Sequence, residues 1–362
     1  MKKNKNLRIT IFIGGLGGGG AERVVCNLAN YLAKKEWNIC ILTMSGRESS
    51  YPLHSNIKIH SLIEQQERKN FLYNFILRYL RLKEYVKTEK TDCFIVMLPV
   101  TTIMLLSLRS KFKVIVSERS NPARYSKVIQ RLLKVLAHKA DGYVFQTRDI
   151  LEWYLPYIKE KQTIVIPNAV NEEFIVNNKL VPEKRIIAVG RLTKVKNFEL
   201  LIKAYSNIAD KYPDYKVYIF GDGPERNNLE NLARKLKVDK NIVISKFTND
   251  IKEELQSSKV FVMSSDYEGM PNALIEAMAL GLPCIATDCE GGGAKFLIQE
   301  NVNGFLVPVG NDKQMAQYID LILSSEELAY NIGQKAQEIA ITLNPDKVYS
   351  IWKEFIESVV FK

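Results

Sequence analysis

Short apolar runs closed by glycine or small polar residues alternate along the chain with stretches of helical periodicity. Ile9–Ile13, Ile39–Met44, Phe94–Leu98, Val114–Val116 and Asp141–Phe145 lie in the first half. Arg185–Val189, Val217–Phe220, Ile242–Phe247, Val260–Met263 and Cys284–Thr287 lie in the second. Their near-continuous Val, Ile, Phe and Cys content predicts strands of parallel sheets, buried on both faces. Between and after them, Ala21–Lys34, Arg68–Lys90, Arg124–His138, Phe198–Tyr212, Ala273–Leu280 and Pro345–Phe361 repeat apolar residues every three or four positions, which predicts helices. Strand, loop and helix in alternation predict an α/β chain of doubly wound, Rossmann-like sheets.

A chain of 362 residues exceeds what one core usually supports. Two domains are expected: 1–168, a polar linker over 169–183, and 184–345, where a new strand and loop restart the pattern at Arg185. With 46% hydrophobic and 25% charged residues the chain is globular. The net charge of +11 is unevenly placed: residues 1–168 carry 28 Lys/Arg against 13 Asp/Glu, a balance of +15, and the remainder balances at −4. Much of the excess sits on two amphipathic stretches, Arg68–Lys90 and Arg124–His138, the latter with Lys127, Arg131 and Lys134 at helical spacing. A basic amphipathic face fits either plain solvation or an anionic membrane surface. No nucleic-acid motif accompanies it.

The five cysteines show no zinc-ligand spacing and read as buried thiols of a reducing compartment. Lys2, Lys3, Lys5 and Arg8 precede an apolar run, but Ile9–Ile13 ends in glycines without a cleavage pattern, so a first strand is expected rather than a signal peptide. No run reaches the roughly 20 apolar residues of a membrane span. These readings place the protein in the cytoplasm.

Candidate chemistry lies where the strands end. Gly14–Gly20 follows the first strand and satisfies a dinucleotide glycine pattern formally, yet the second strand ends in Ser45 and Gly46 where an acidic residue would bind a ribose. Ser117–Pro122 suits either an ordinary polar turn or a ligand contact at the sheet's carboxyl edge. In Gly190–Asn197, Arg191 and Lys196 bracket a short loop, and a planar fork with a point charge suits the oxygens of a diphosphate. Gly221–Pro224 closes another strand with glycines that permit close backbone approach. After Val260–Met263, a helix is expected near Pro271, with the N–H groups of Asn272, Ala273 and Leu274 directed at an anion. Glu268 and Glu276 flank that helix N-terminus and suit the hydroxyls of a sugar and a ribose; Glu276 alone could equally be an exposed helix glutamate. Asp288-Cys289-Glu290 lacks the surroundings of a metal motif, and no metal is expected.

Glu268 and Glu276 with seven residues between, and Gly269-Met270-Pro271 after the first, resemble the signature of retaining GT-B glycosyltransferases of family 4. The resemblance covers nearly the whole chain and is stronger after Ile164. It implies two doubly wound domains facing across a cleft, with the last helix, 346–362, packed back onto the first domain. It implies a donor site of Gly19, Gly20, Gly190, Arg191, Lys196, Gly221, Gly223, Lys246, Glu268, Gly269, Met270, Pro271, Asn272, Ala273, Leu274 and Glu276. In it Glu268 contacts the sugar, Arg191 and Lys196 the diphosphate, and Glu276 the ribose. Lys246 stands where a glycine is common near the base. Glu118, Arg119 and Asn121 fall in the acceptor region, without the histidine often found there.

The implied activity is metal-independent and cofactor-free transfer of a hexosyl group, with retention, from a UDP-linked or other nucleotide sugar. The acceptor is a hydroxyl of a glycan, lipid-linked, in surface polysaccharide assembly at the inner face of the cytoplasmic membrane. A nucleotide-sugar epimerase on the same fold, or a binding protein without catalysis, are the alternatives.

Overall fold

A computed structural model of the chain describes residues 6–108, 112–158, 161–176, 182–248 and 250–362. Most of its strands form on apolar runs of the sequence. The first unit runs β1 (Arg8–Ile13), α1 (Gly20–Lys34), β2 (Asn38–Thr43), β3 (Lys58–Ser61), α2 (Phe71–Thr88), β4 (Cys93–Met97), α3 (Pro99–Ser107), β5 (Lys113–Glu118), α4 (Lys127–Leu136), β6 (Gly142–Phe145), α5 (Arg148–Tyr154) and β7 (Gln162–Val165). The second runs β8 (Arg185–Val189), α6 (Phe198–Ser206), β9 (Lys216–Phe220), α7 (Arg226–Lys235), β10 (Ile242–Ser245), α8 (Ile251–Gln256), β11 (Val260–Met263), α9 (Asn272–Ala279), β12 (Cys284–Thr287), α10 (Gly293–Leu297), β13 (Phe305–Val307), α11 (Asp312–Ser324), α12 (Glu326–Gln337) and α13 (Ile339–Thr342). A last helix, α14 (Pro345–Val360), follows.

Contacts divide the chain into Met1–Ala169 with Asp346–Lys362, and Val170–Pro345. The sheets are ordered β3-β2-β1-β4-β5-β6-β7 and β10-β9-β8-β11-β12-β13, with every pairing parallel. In each, strand order reverses beside the unit's first strand, between β1 and β4 and between β8 and β11. Ligands of such sheets bind at the carboxyl ends flanking that reversal.

One face of the first sheet packs Phe12, Val96, Val116, Tyr143 and Phe145 into a core with Tyr154 of α5. Against the other lies α14, which belongs to this unit from Asp346 onward. A side chain at Gly142 would meet Val359 and Phe355 within 3.3 Å, Ser358 Oγ donates to Gln162 Oε1 at 2.9 Å, and the Tyr349 ring meets Tyr31 at 5.5 Å. The second core gathers Ile186, Val217, Val260 and Ile285 with Leu201, Tyr205, Met315 and Ile319.

Three sequence expectations are modified. The helix over Arg124–His138 starts later, because the Ser126 hydroxyl accepts the Ile129 N–H and caps α4. The stretch read as linker contributes Phe174, buried, to the second unit, while residues 177–181 lie outside the described residues, as do Lys2, Lys3 and Lys5. The cationic faces of α2 and α4 are thinner than the sequence implies. Arg78 Nε donates to Met44 O at 3.1 Å, Arg81 forks onto Glu67 at 2.7 and 2.8 Å, and Lys134 sits over the Trp153 and Tyr157 rings. These cations fasten helices to their own unit, through a half-buried carbonyl, a partly exposed carboxylate and two aromatic rings. Lys83, Lys87, Lys127, Arg131 and Lys139 remain exposed, beside Phe71, Leu72, Phe75, Ile76 and Leu80 of α2 and Val128, Leu132 and Val135 of α4.

Candidate functional site

The carboxyl ends of β8 and β11, neighbours in the second sheet, open into the loops that carry Arg191, Lys196 and Glu268. The two loops are fastened to each other. Asp266 N donates to Val195 O at 2.9 Å, Ser264 Oγ to Lys196 O at 3.0 Å, and Asn197 Nδ2 to Asp266 Oδ1 at 2.7 Å. Asn197 takes a left-handed backbone, φ 42°, and its side-chain oxygen caps α6 through Leu200 N. Asparagine tolerates that conformation better than most residues.

This stitching brings Lys196 Nζ into an ion pair with Glu268 Oε1, which also accepts from Ser265 Oγ at 2.9 Å. The side chains are only 26% and 14% exposed, so the attraction is screened less than on an open surface. Arg191 is exposed, and no described residue pairs with its guanidinium.

Glycine permits the close approach of the neighbouring turns. A Cβ at Gly221 would stand 1.8 Å from Gly190 O, and one at Gly223 would stand 2.3 Å from Leu192 O. On the other flank, Cβ atoms at Gly291 and Gly293 would fall 1.7 Å from Glu268 O and 1.9 Å from Gly269 O. The backbone around Glu268 is thereby clamped between β11 and the loop after β12, with Glu268 N donating to Glu290 O at 3.2 Å.

Helix α9 begins where proline suits it. Pro271 is the N-cap without a side-chain cap bond, and the first intrahelical bond runs from Ile275 N to Pro271 O. The N–H groups of Asn272, Ala273 and Leu274 therefore point along the axis out of the helix, an arrangement that favours an anion. Met270, Pro271 and Leu274 are buried, Gly269 and Ala273 half-buried. Glu276 is 6% exposed, which removes its reading as an exposed helix glutamate. Lys246, after β10, is exposed.

In the first unit, Gly19 caps α1 and accepts the Tyr51 hydroxyl at 3.1 Å, and Gly20 opens the helix. Glu118 ends β5 facing the aromatic core, where it accepts from Tyr125 at 2.7 Å and Tyr154 at 2.8 Å. Burial raises its carboxyl above the ordinary range, opposed by these hydroxyls and the backbone N–H groups of Ser120 and Arg119. Arg119 faces the other way. Its Nη2 donates to Asn168 Oδ1. With its amide turned to satisfy both neighbours, Gln146 donates to Arg119 O at 2.8 Å and accepts from Nη2 at 3.2 Å. Burial pulls the guanidinium down to about 10. Asn121 accepts from Ala123 N at 2.9 Å, as a turn residue does.

The family described as "Glycosyl transferases group 1" matches residues 170–339, and "Glycosyltransferase Family 4" matches residues 18–174. An uncharacterized glycosyltransferase of Haemophilus influenzae is 30% identical over 354 residues, covering 96% of this chain and 99% of that protein. The chain belongs to the group 1/family 4 glycosyltransferases. A Campylobacter jejuni relative, named "GalNAc-alpha-(1->4)-GalNAc-alpha-(1->3)-diNAcBac-PP-undecaprenol alpha-1,4-N-acetyl-D-galactosaminyltransferase", is 29% identical over 93% of this chain and 95% of its own. Anabaena Alr3699/HepE in complex with UDP superposes with a TM-score of 0.81 at 16% identity, over 97% of this chain and 100% of that one. The fold is GT-B.

As a GT-B glycosyltransferase, the chain gathers Gly190, Arg191, Lys196, Gly221, Gly223 and Glu268–Leu274 at one carboxyl edge of its second unit. Gly19, Gly20, Glu118, Arg119 and Asn121 lie in the first unit. Sequence reasoning passed over Ser265, Asn197 and Asp266, which hold Glu268 and Lys196 in place; small polar residues directly after an apolar strand were the available signal. Among the described residues no three His, Cys, Asp or Glu side chains gather in a way that could hold a metal ion.

Proposed function

We propose that this glycosyltransferase moves a hexosyl group from a UDP-linked sugar to a hydroxyl of a lipid-linked glycan, with retention at the anomeric carbon. The observation that carries the reading is the convergence of Arg191, the Lys196–Glu268 pair and the α9 N-terminus where strand order reverses. That edge offers donors for a diphosphate beside a carboxylate for sugar hydroxyls, as a nucleotide sugar requires. The UDP held by the superposed structure and the diphospho-undecaprenol acceptor in the relative's name support the donor and acceptor classes.

In this reading Lys196 leaves Glu268 for the diphosphate as the donor enters, which frees the carboxylate for the sugar. The acceptor attacks from the side of the leaving group, and a donor phosphate oxygen takes its proton. Arg191, Lys196 and the N–H groups of Asn272–Leu274 then neutralise the charge developing on the diphosphate. Glu276 binds the ribose.

Among the described residues no helix is long and apolar enough to cross a membrane. The exposed apolar and cationic residues of α2 and α4 fit peripheral contact with an anionic bilayer, at the cytoplasmic face where lipid-linked acceptors are built up. The test is a panel of nucleotide sugars with and without a polyprenyl-diphosphate glycan. Acceptor-dependent transfer supports the reading, an isomerised donor makes the protein an epimerase, and donor binding without turnover makes it a binding protein.

A further inference from the structure

We infer that Arg119, with Ser117 beside it on the strand, forms an oxyanion-binding site in the first unit, and that the acceptor presents a phosphate or carboxylate group to it. The inference rests on the glycosyltransferase reading for the word acceptor; the site itself stands on geometry. Arg119 is 8% exposed and Ser117 1%. Arg119 Nε and Nη1 and Ser117 Oγ are buried without a hydrogen-bond partner among the described residues. Two residues apart on an extended chain, they face the same side of the sheet. Glu118, between them, faces the other side and is held by Tyr125 and Tyr154. No described carboxylate lies within ion-pair reach of the guanidinium.

Buried donors are costly to leave unmade, most of all on a charged group, so orphaned ones call for a partner from outside the chain. Water can fill one such gap. Two gaps on a cation and a third on a hydroxyl two residues away better match a group with several acceptor oxygens and a negative charge, and a guanidinium's planar fork suits carboxylate and phosphate alike. The location fits as well. Met97 at the end of β4 pairs with Ser117, and β4 flanks the reversal of strand order in the first sheet, so Arg119 stands just beyond the carboxyl edge where ligands enter.

The test uses the full-length protein carrying R191A and K196A, which silences the cations proposed for the donor diphosphate, titrated with inorganic phosphate by calorimetry. Phosphate should bind, and adding R119Q should weaken it at least about tenfold. S117A should weaken it about threefold. Should R119Q fail to fold, R119K and S117A decide, since unchanged phosphate affinity in both overturns the site. Binding that persists undiminished in folded R119Q, or no binding while Arg119 is intact, overturns it too.

Glucuronate and a short polyprenyl diphosphate in detergent, titrated in parallel, separate an acidic sugar from a lipid-linked diphosphate as the source of the anion. Arg119-dependent binding of one identifies the source, and binding of neither overturns the acceptor assignment. A protein that transfers no sugar from any donor yet binds phosphate through Arg119 would lose the transferase reading and keep the anion site. One that transfers sugar while R119Q leaves phosphate binding intact would do the reverse.

Discussion

The carboxyl edges of the two sheets carry comparable glycine-rich and polar sequences and end in different physical states. In the second unit the glycines are wedged against neighbouring backbone, Lys196 is paired with Glu268, and Asn197 donates to Asp266. In the first, a Cβ at Gly17 or Gly18 meets nothing within 4 Å, and Arg119 keeps two nitrogens without a partner. A glycine-rich loop is therefore not one device. One edge uses glycine so that three turns can touch and hold a carboxylate in place; the other uses it to leave room. On the proposed reading the second unit's edge exchanges an internal ion pair for a ligand, whereas the first unit's edge has donors waiting.

The largest effect expected from this contrast is on stability. Gly291→Ala places a methyl against Glu268 O at a backbone φ of 104° that alanine resists, and should cost about 3 kcal/mol, read as a lowered urea midpoint. Gly17→Ala should stay within about 0.5 kcal/mol of the parent. Equal costs at the two positions would erase the distinction between the edges.

Next comes the ion pair. Each of Arg191→Ala and Lys196→Ala should lose about 1.5 to 3 kcal/mol of nucleotide diphosphate affinity, non-additively, because one anion is shared. Calorimetry on the double variant decides: unaltered affinity shows that the cations serve elsewhere. Glu268→Gln should lower turnover at least about tenfold, near 1.4 kcal/mol, and leave diphosphate affinity unchanged or modestly tighter, since Lys196 no longer has to leave a carboxylate. Wild-type turnover in the folded variant would remove Glu268 from the chemistry.

The smallest effects concern the outer surface of the first unit. Lys127, Arg131 and Lys139, changed singly to Gln, should each weaken binding to anionic vesicles by about 1 kcal/mol at low salt, and Lys134→Gln by less, because its ammonium rests on Trp153 and Tyr157. Sedimentation with vesicles at two salt concentrations measures this. A protein that never sediments leaves both units equally indifferent to membranes.

Local pattern alone was enough for most strands of the two doubly wound sheets, though not for the edge strands Lys58–Ser61 and Phe305–Val307, and for the helix following Glu268 and the charge asymmetry between halves. Each of these depends on residues near one another in sequence: apolar runs that bury on both faces, a proline at a helix start, glutamates on either side of one helix N-terminus. What tertiary structure decided lies between residues far apart. Lys196 and Glu268 are 72 positions apart, and nothing near either one announces that they pair. The same holds for Gly291 and Gly293, whose missing side chains matter only because the loop after β12 lies on the backbone of Glu268 and Gly269. Arg78 and Arg81 read as a cationic surface until Met44 O and Glu67 appear beneath them. Arg119 read equally as a polar turn residue or an acceptor contact until its burial and its orphaned nitrogens were set beside Ser117. Periodicity reports which face of an element is apolar; strand order and register decide which charged groups that face meets, and those are properties of the whole packed chain.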